Sequence, residues 1–414
     1  MVKEDPRINP ASRRAEYAPL AALILGALTV RLLLFPTQGF KGDLNLYISW
    51  LRAAADYGFK TFYTVTNCDY PPLNVYLFWL FGSAAKSLSL FGANLITYVV
   101  KLIPTLFDLA TVYLIFTFVR SRSSLKVSLL TAAAYAFNPA VLFNSSIWGQ
   151  FDSIYTFLLL LSFVLVLSGK LTLSVSMFTL AVLTKPQAVA LAPLMALFVY
   201  KKFGLRKMLV STLIIAAITL LVILPFQWDN PITFLTKIYL LGFGKYPYTS
   251  VNAFNLWALF GMWRPDTQGY LFINPYLIGW MMFVVVTFLA LDSVDERLKS
   301  KGEILVFFAA FILLFGFFML PTRIHERYNF PSLSFLALMI PYVKKVWAVY
   351  SVITMTLLIN LVYAMMTLNE GILITWTDSI IIGVALANTI AFAYSMVLIW
   401  KWMNRKSPQT SIEN

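Results

Sequence analysis

The 414-residue chain is 60% hydrophobic and 12% charged, against about 25% charged in an ordinary soluble domain, and carries a formal net charge of +14. One cysteine, Cys68, excludes an intramolecular disulfide, and one histidine, His325, excludes a multi-histidine metal site. Repeated apolar runs of about 20 residues define an all-α, polytopic membrane protein, in which the positive charge reads as a bias of the cytoplasmic loops and not as nucleic-acid binding.

Residues 1–16, with Arg7, Arg13 and Arg14, are basic and are placed in the cytoplasm. The first apolar run, 17–36, is too long for a signal peptide and lacks a small-residue cleavage site, so it is the first crossing. A long first outer loop, 37–93, follows. Connections of that length are functional or disordered. This one holds Trp50, Tyr57, Phe59, Phe62, Tyr63, Tyr76, Phe78, Trp79 and Phe81, aromatics that disordered segments lack. A crossing at 72–90 would force Arg120, Arg122 and Lys126 outside, so 43–57 and 73–91 are expected as two interfacial helices within the loop.

Further crossings are expected at 94–119, 127–144, 151–168, 171–184, 187–200, 208–227, 273–291, 304–320, 329–343, 346–366 and 379–401, about twelve transmembrane helices in all. The pair 171–184 and 187–200 is short for a perpendicular crossing and needs shelter from other helices. A second outer loop (228–272), a cytoplasmic segment (292–303) and a cytoplasmic tail (402–414) complete a single transmembrane domain over 1–414. Most of the 32 Lys and Arg then lie on the cytoplasmic side. No internal repeat is visible, whereas an inverted repeat would point to a secondary transporter.

On this topology the unusual polar clusters share the outer side. They are Gly42-Asp43, Asp69-Tyr70-Pro71-Pro72, Trp148-Gly149-Gln150-Phe151-Asp152, Lys185-Pro186-Gln187, Asn252-Ala253-Phe254-Asn255-Leu256-Trp257 and Arg323-Ile324-His325-Glu326-Arg327-Tyr328. Polar groups gathered at one end of a bundle make a cavity there. Lys101 and Asp108, seven apart, share a helix face and suggest a structural charge pair that Arg31 joins or leaves by snorkelling outward.

The order of these motifs resembles the GT-C glycosyltransferases, integral-membrane enzymes that use polyprenyl-phosphate sugars. It is most similar to the dolichyl-phosphate-glucose glucosyltransferases of N-glycan assembly and to prokaryotic GPI-mannosyltransferase-like proteins, over residues 17–345. Asp69-Tyr70-Pro71-Pro72-Leu73 matches their Asp-Tyr-Pro-Pro-Leu. Gly42-Asp43 matches their first-loop Gly-Asp, and Gln150 the glutamine of their His-Phe-Gln. Lys185-Pro186-Gln187 falls where they have Lys-Gln, and His325-Glu326-Arg327 where they have His-Glu-Lys. The first loop lacks the Asp-x-Asp that some family members carry, which leaves a metal requirement open; no cofactor is implied.

The resemblance implies an inverting hexosyl transfer, of mannose or glucose. One carboxylate takes the acceptor's proton, and a phosphate leaving group needs no general acid. Asp43 is the candidate base; its other reading is the N-cap of the helix it begins. Asp69 is a second acid/base group, an orienting residue, or a plain turn residue before the two prolines. Arg323, His325, Arg327 and Lys185 are candidates for the donor phosphate, with Glu326 orienting them; the plainer readings are snorkelling and hairpin capping. Trp148, Gln150, Asp152, Gln187 and Asn255 are candidates for sugar or acceptor, with an interfacial belt for Trp148 and a helix cap for Asn255 as the alternatives.

The partners implied are a polyprenyl-phosphate-linked sugar, a glycan, lipid-linked glycan or protein acceptor, and membrane lipid, with no nucleic acid. The compact length, with no attached soluble domain, suits a prokaryotic plasma membrane with the site expected outside, or the endoplasmic reticulum with a luminal site if eukaryotic. The competing reading is a polytopic transporter or lipid-carrier flippase.

Overall fold

Backbone amides in an apolar environment must be paired within their own segment, and the chain meets that demand with helices. A computed structural model describes residues 10–92, 95–269, 273–301, 304–372 and 378–403. In order these form α1 (Pro10–Leu34), α2 (Lys41–Val65), α3 (Pro72–Ser87), α4 (Ile96–Arg120), α5 (Leu125–Ala136), α6 (Pro139–Leu142), α7 (Asp152–Leu167) and α8 (Leu171–Val182). There follow α9 (Ala192–Phe203), α10 (Leu205–Ile223), α11 (Pro231–Gly244), α12 (Pro275–Lys301), α13 (Ile304–Met319), α14 (Phe330–Ala337), α15 (Val346–Glu370) and α16 (Ser379–Met403). Arg7 and the tail beyond residue 403 lie outside the described residues, as do 270–272 of the second expected loop and 302–303 of the expected cytoplasmic segment.

Six helices are by themselves long and apolar enough to cross a bilayer: Tyr17–Leu34, Ile96–Arg120, Leu205–Ile223, Pro275–Asp295, Val346–Glu370 and Ser379–Trp402. A seventh arises if Leu125–Ala136 and Pro139–Trp148, bent by 45°, form one broken span. About twelve crossings were expected, the pair 171–184 and 187–200 among them short of a perpendicular crossing. The difference lies in short apolar helices inside the bundle. Helix α13 has nearly every side chain buried, and α7 is largely buried too. The expected span 329–343 gives only the eight residues of α14, followed by turns. Helices walled by protein need no full bilayer length.

The break after α5 has a local cause. Pro139 has no amide proton to continue the ladder, and the Asn138 carboxamide caps the new start by accepting from the amides of Ala140 and Val141 at 3.0 and 3.2 Å. After α6 the chain widens into a π-helical turn over Phe143–Trp148 and reverses at Gly149, whose φ is 85°. Such π turns are frequent at functional sites.

The two helices expected within the first loop are present as α2 and α3, the former kinked at Gly58 with φ 65°. They pack as a hairpin so close that a Cβ on Gly82 would overlap the Leu51 carbonyl. Between them and the bundle sits an aromatic cluster of Tyr47, Trp50, Tyr70, Phe78 and Phe151, with ring centroids 4.6 to 6.5 Å apart. The hairpin is tied to the turn after α8 by Leu73 N to Leu183 O at 3.2 Å and Asn74 Nδ2 to Thr184 O at 2.6 Å. Helix α11 was not anticipated within the second loop.

The buried charges of the first crossings match the expected pairing in part: Arg31 joins Asp108, and Lys101 does not. Asp108 faces Arg31 at 3.6 Å, and Arg31 also donates to Ala136 O at 2.9 Å. Lys101 does not meet Asp108. It donates to the carbonyls of Phe35 and Thr37 at 2.8 and 2.7 Å, closing the orphan end of α1. Seven helical residues span about 10 Å along the axis, too far for the two charges to touch.

The Gly82→Ala protein should lose about 1–3 kcal/mol of stability, the usual size of an overpacked contact, and unfold at lower temperature in detergent. Gly383→Ala, where an added Cβ meets nothing within 4 Å, serves as the control and should not.

Candidate active site

Asp43 occupies the first turn of α2, where its charge lies at the positive end of the helix dipole. The N-cap position belongs to Phe40, so the carboxylate is not used as a cap. It points instead to the π turn. Trp148 Nε1 donates to Oδ2 at 2.9 Å and Gln150 Nε2 donates to the same oxygen at 2.5 Å. Among the described residues Oδ1 accepts no hydrogen bond. The segment before α2 must run directly against this turn, since a Cβ on Gly39 would come within 2.6 Å of the Ile147 carbonyl. One helical turn beyond Asp43, the Tyr47 hydroxyl donates to Gln150 Oε1 at 2.9 Å and meets the Tyr70 hydroxyl at 2.9 Å.

Cations occupy the other half. Lys185 has extended backbone between the end of α8 and a 3-10 turn opened by Pro186. Its ammonium donates to Asp152 Oδ1 at 2.7 Å and lies 5.5 Å from the Tyr70 ring centre and 5.7 Å from that of Tyr155. Asp152 Oδ2 is 3.8 Å from Arg327 Nε and accepts from Asn144 Nδ2 at 3.4 Å. Arg327 Nη1 donates to Glu326 Oε1 at 2.5 Å. The His325 backbone is fixed by isolated bridges to Val251 and Asn252, and its ring packs edge-on to Tyr246 at 5.1 Å. Asp43, Gln150, Tyr47, Tyr70, Lys185, Asp152 and Arg327 thus form one connected chain from carboxylate to guanidinium.

Burial and charge set the protonation states. Burial pushes the Tyr47 and Tyr70 hydroxyls well above the ordinary phenol range, so both remain protonated donors. Burial lowers the Lys185 ammonium, with the Asp152 carboxylate opposing. Burial works against the Arg327 charge too, but Glu326, Tyr70 and Asp152 outweigh it and hold the guanidinium firmly protonated. Burial, then the charges of Arg327, Lys185 and Lys245, hold the His325 imidazole well below its usual range. At neutral pH it is an uncharged donor or acceptor.

Not every candidate joins this cluster. Arg323, in the left-handed region at φ 65°, gives its guanidinium to Asp266 at 2.7 and 3.2 Å and lies over the rings of Phe243 and Tyr276. Asn255 caps a short turn by accepting from Trp257 N at 3.1 Å and donates to Phe318 O at 3.0 Å, which is the cap reading. Trp148 is fully buried and is no belt residue. Asp152 is a counter-ion between two cations, which leaves it no free oxygen for a sugar. Asp69 accepts from Lys245 Nζ at 2.6 Å. Gln187 lies close enough to Tyr328 for its carboxamide to act on the Tyr328 hydroxyl.

Five residues were missed: Tyr47, Tyr70, Asn144, Tyr155 and Lys245. Tyr70 stood inside a quoted motif, and Tyr47 is one turn from Asp43; Lys245 carried no signal. Tyr155 Oη, Gln187 Oε1, Asn144 Oδ1 and Arg327 Nε are buried with no hydrogen-bond partner among the described residues, the condition a hydroxylated ligand or water relieves. Among the described residues no three His, Cys, Asp or Glu side chains gather into a cation cage. The ion pairs differ in strength. Breaking a buried one such as Lys185–Asp152 costs about 3–5 kcal/mol, whereas an exposed one such as Lys245–Asp69 is worth about 0–1 kcal/mol.

Asp152→Asn and Lys185→Met should each destabilise the protein by about 3–5 kcal/mol, and the double variant should recover part of that loss; strictly additive losses in thermal unfolding would show that the pair is not coupled. As pH falls, the unfolded chain takes up the His325 proton at about 6.5, before the folded one does, so stability should decline below that pH. His325→Gln should flatten this decline between about pH 6.5 and 5, and identical slopes would show that His325 is not its source.

Neither the protein-family models nor the curated proteins compared with this chain match it.

Proposed function

We propose that the protein is an inverting glycosyltransferase of the GT-C type, moving a hexose from a polyprenyl-phosphate carrier to an acceptor hydroxyl at the outer membrane–water interface. The bundle crosses the membrane about twelve times on this reading, the short helices crossing in the shelter of the long ones. Mannose and glucose are the sugars the sequence resemblance favours, and a prokaryotic plasma membrane is the setting.

The observation that carries the reading is the joined network from the Asp43 carboxylate to the Arg327 guanidinium at one end of the bundle. Glycosyl transfer from a lipid phosphate needs a base on one side of the anomeric carbon and cationic donors on the other. The acceptor hydroxyl loses its proton to Asp43 Oδ1, which no donor among the described residues occupies. The new bond forms from the acceptor oxygen to the anomeric carbon as the bond from that carbon to the phosphate oxygen breaks. The lipid phosphate leaves with the electron pair, and Arg327, Lys185 and neutral His325 stabilise its growing charge. Trp148 and Gln150 hold the carboxylate in orientation through Oδ2. Tyr155, Gln187 and Asn144, with their unpartnered oxygens, are suited to sugar hydroxyls.

Membranes holding the protein should transfer radiolabelled hexose from a polyprenyl-phosphate donor. Asp43→Asn keeps an acceptor for Trp148 and Gln150 but loses the base, so transfer should fall by about 10²–10⁴-fold with the fold intact. Undiminished transfer would remove Asp43 as the base. No transfer by the wild-type protein from any such donor would favour a carrier of lipid-linked sugars over an enzyme.

A further inference from the structure

Beside the buried pairs of the site one cation is exposed. Lys245 follows α11, and its ammonium lies 2.6 Å from Asp69 Oδ2, with the two side chains 47% and 29% exposed. By contrast Lys185 and Asp152 are 6% and 0% exposed, and Arg323 is locked to a fully buried Asp266. The position of Lys245 is toward the site and not away from it. Its neighbour Tyr246 packs edge-on to the His325 ring at 5.1 Å, and the Lys245 charge is felt at His325.

Nor is the ion pair what seats α11. The Tyr239 hydroxyl donates to Val182 O at 2.7 Å, and Phe234 packs on Tyr63 and Phe226 at 5.2 and 6.2 Å. The last turn of the helix lies against the Asp69 backbone, where a Cβ on Gly242 would be 4.0 Å from the Asp69 carbonyl. The helix is held by backbone and aromatic contacts, while the lysine tip rides on a flexible stem that turns without moving them. Exchanging an exposed carboxylate for another anion is far easier than breaking a buried pair.

We infer that Lys245 binds the phosphate of the incoming lipid-linked sugar beside the buried pairs, leaving Asp69, which stands in for that phosphate when no ligand is present. This rests on the glycosyl-transfer reading. It gives Asp69 the role of a competing anion, neither acid nor base, and it gives Lys245 first contact with a substrate that passes on to Arg327 and His325.

The test titrates undecaprenyl phosphate, and separately inorganic phosphate, against the full-length protein in nanodiscs. Lys245→Gln should weaken binding of the lipid phosphate roughly tenfold, the size of one lost charge-assisted hydrogen bond, and Lys245→Arg should retain it. Asp69→Asn should strengthen binding, because the competitor is gone. A mere tether between α11 and the first loop predicts that Lys245→Gln and Asp69→Asn act in the same direction, since both break one pair; that result, or no effect from either, overturns the inference. Equal weakening for inorganic phosphate and for the lipid would overturn the assignment to a lipid-linked ligand. If the wild-type protein transfers hexose while Lys245→Gln matches its KM and kcat, this inference alone falls. If it binds neither probe, both readings fall together.

Discussion

A carboxylate sealed from water must have a cation beside it, and Asp152 has two. Fully buried at the start of α7, it lies between Lys185 and Arg327, which come from turns far apart in sequence. That requirement brings the turn after α8 and the turn before α14 to the same end of α7. Lys185 in turn lies over Tyr70, and Tyr70 reaches Tyr47 and so Gln150 and Asp43. The cluster is therefore fixed by electrostatic need at its centre and by aromatic packing at its edge. A lone charge in this place would be intolerable, so the residues around it cannot be rearranged singly.

The α2–α3 hairpin is held by different means. Its inner face is aromatic, and backbone bonds to Leu183 and Thr184 lock it to the segment that carries Lys185. The catalytic carboxylate proposed here thus rides on an element whose attachment does not depend on the ion pairs it faces. Apolar packing fixes the distance, and the charges tune the chemistry.

Much of this was legible in the sequence. Asp43, Gln150, Asp152, Lys185 and Arg327 are polar groups at the ends of apolar runs, where lipid or core would reject them without cause, and all five are in the network. The aromatic content of the first loop foretold its order. What stayed hidden depends on contacts across long sequence distances. Nothing near Arg323 announces Asp266 as its partner, and nothing near Lys245 announces Asp69. The spacing of Lys101 and Asp108 suggested a pair that the structure does not make; Asp108 meets Arg31 instead, and Lys101 the carbonyls just after α1. Helix α11, 14 residues long, lies inside the stretch read as the second outer loop. Of the roughly twelve crossings expected, six or seven correspond to long apolar helices among the described residues, and others fall on shorter ones. Apolarity marks burial, and α13 and α14 are buried in protein as much as any lipid-facing helix is buried in membrane.

The wide turn at Phe143–Trp148 has a consequence for how the gene can change. A π turn carries a surplus residue relative to an α-helix, and that surplus sets the rotation at which the following side chains emerge. Asn144 at its start meets Asp152, while Trp148 at its end and Gln150 just beyond meet Asp43. Removing a single codon here would let the helix close to its ordinary pitch and swing one set of side chains about 100° away from its partner. Descendants of this chain can therefore lengthen or trim their surface connections, but this six-residue turn must be inherited at fixed length.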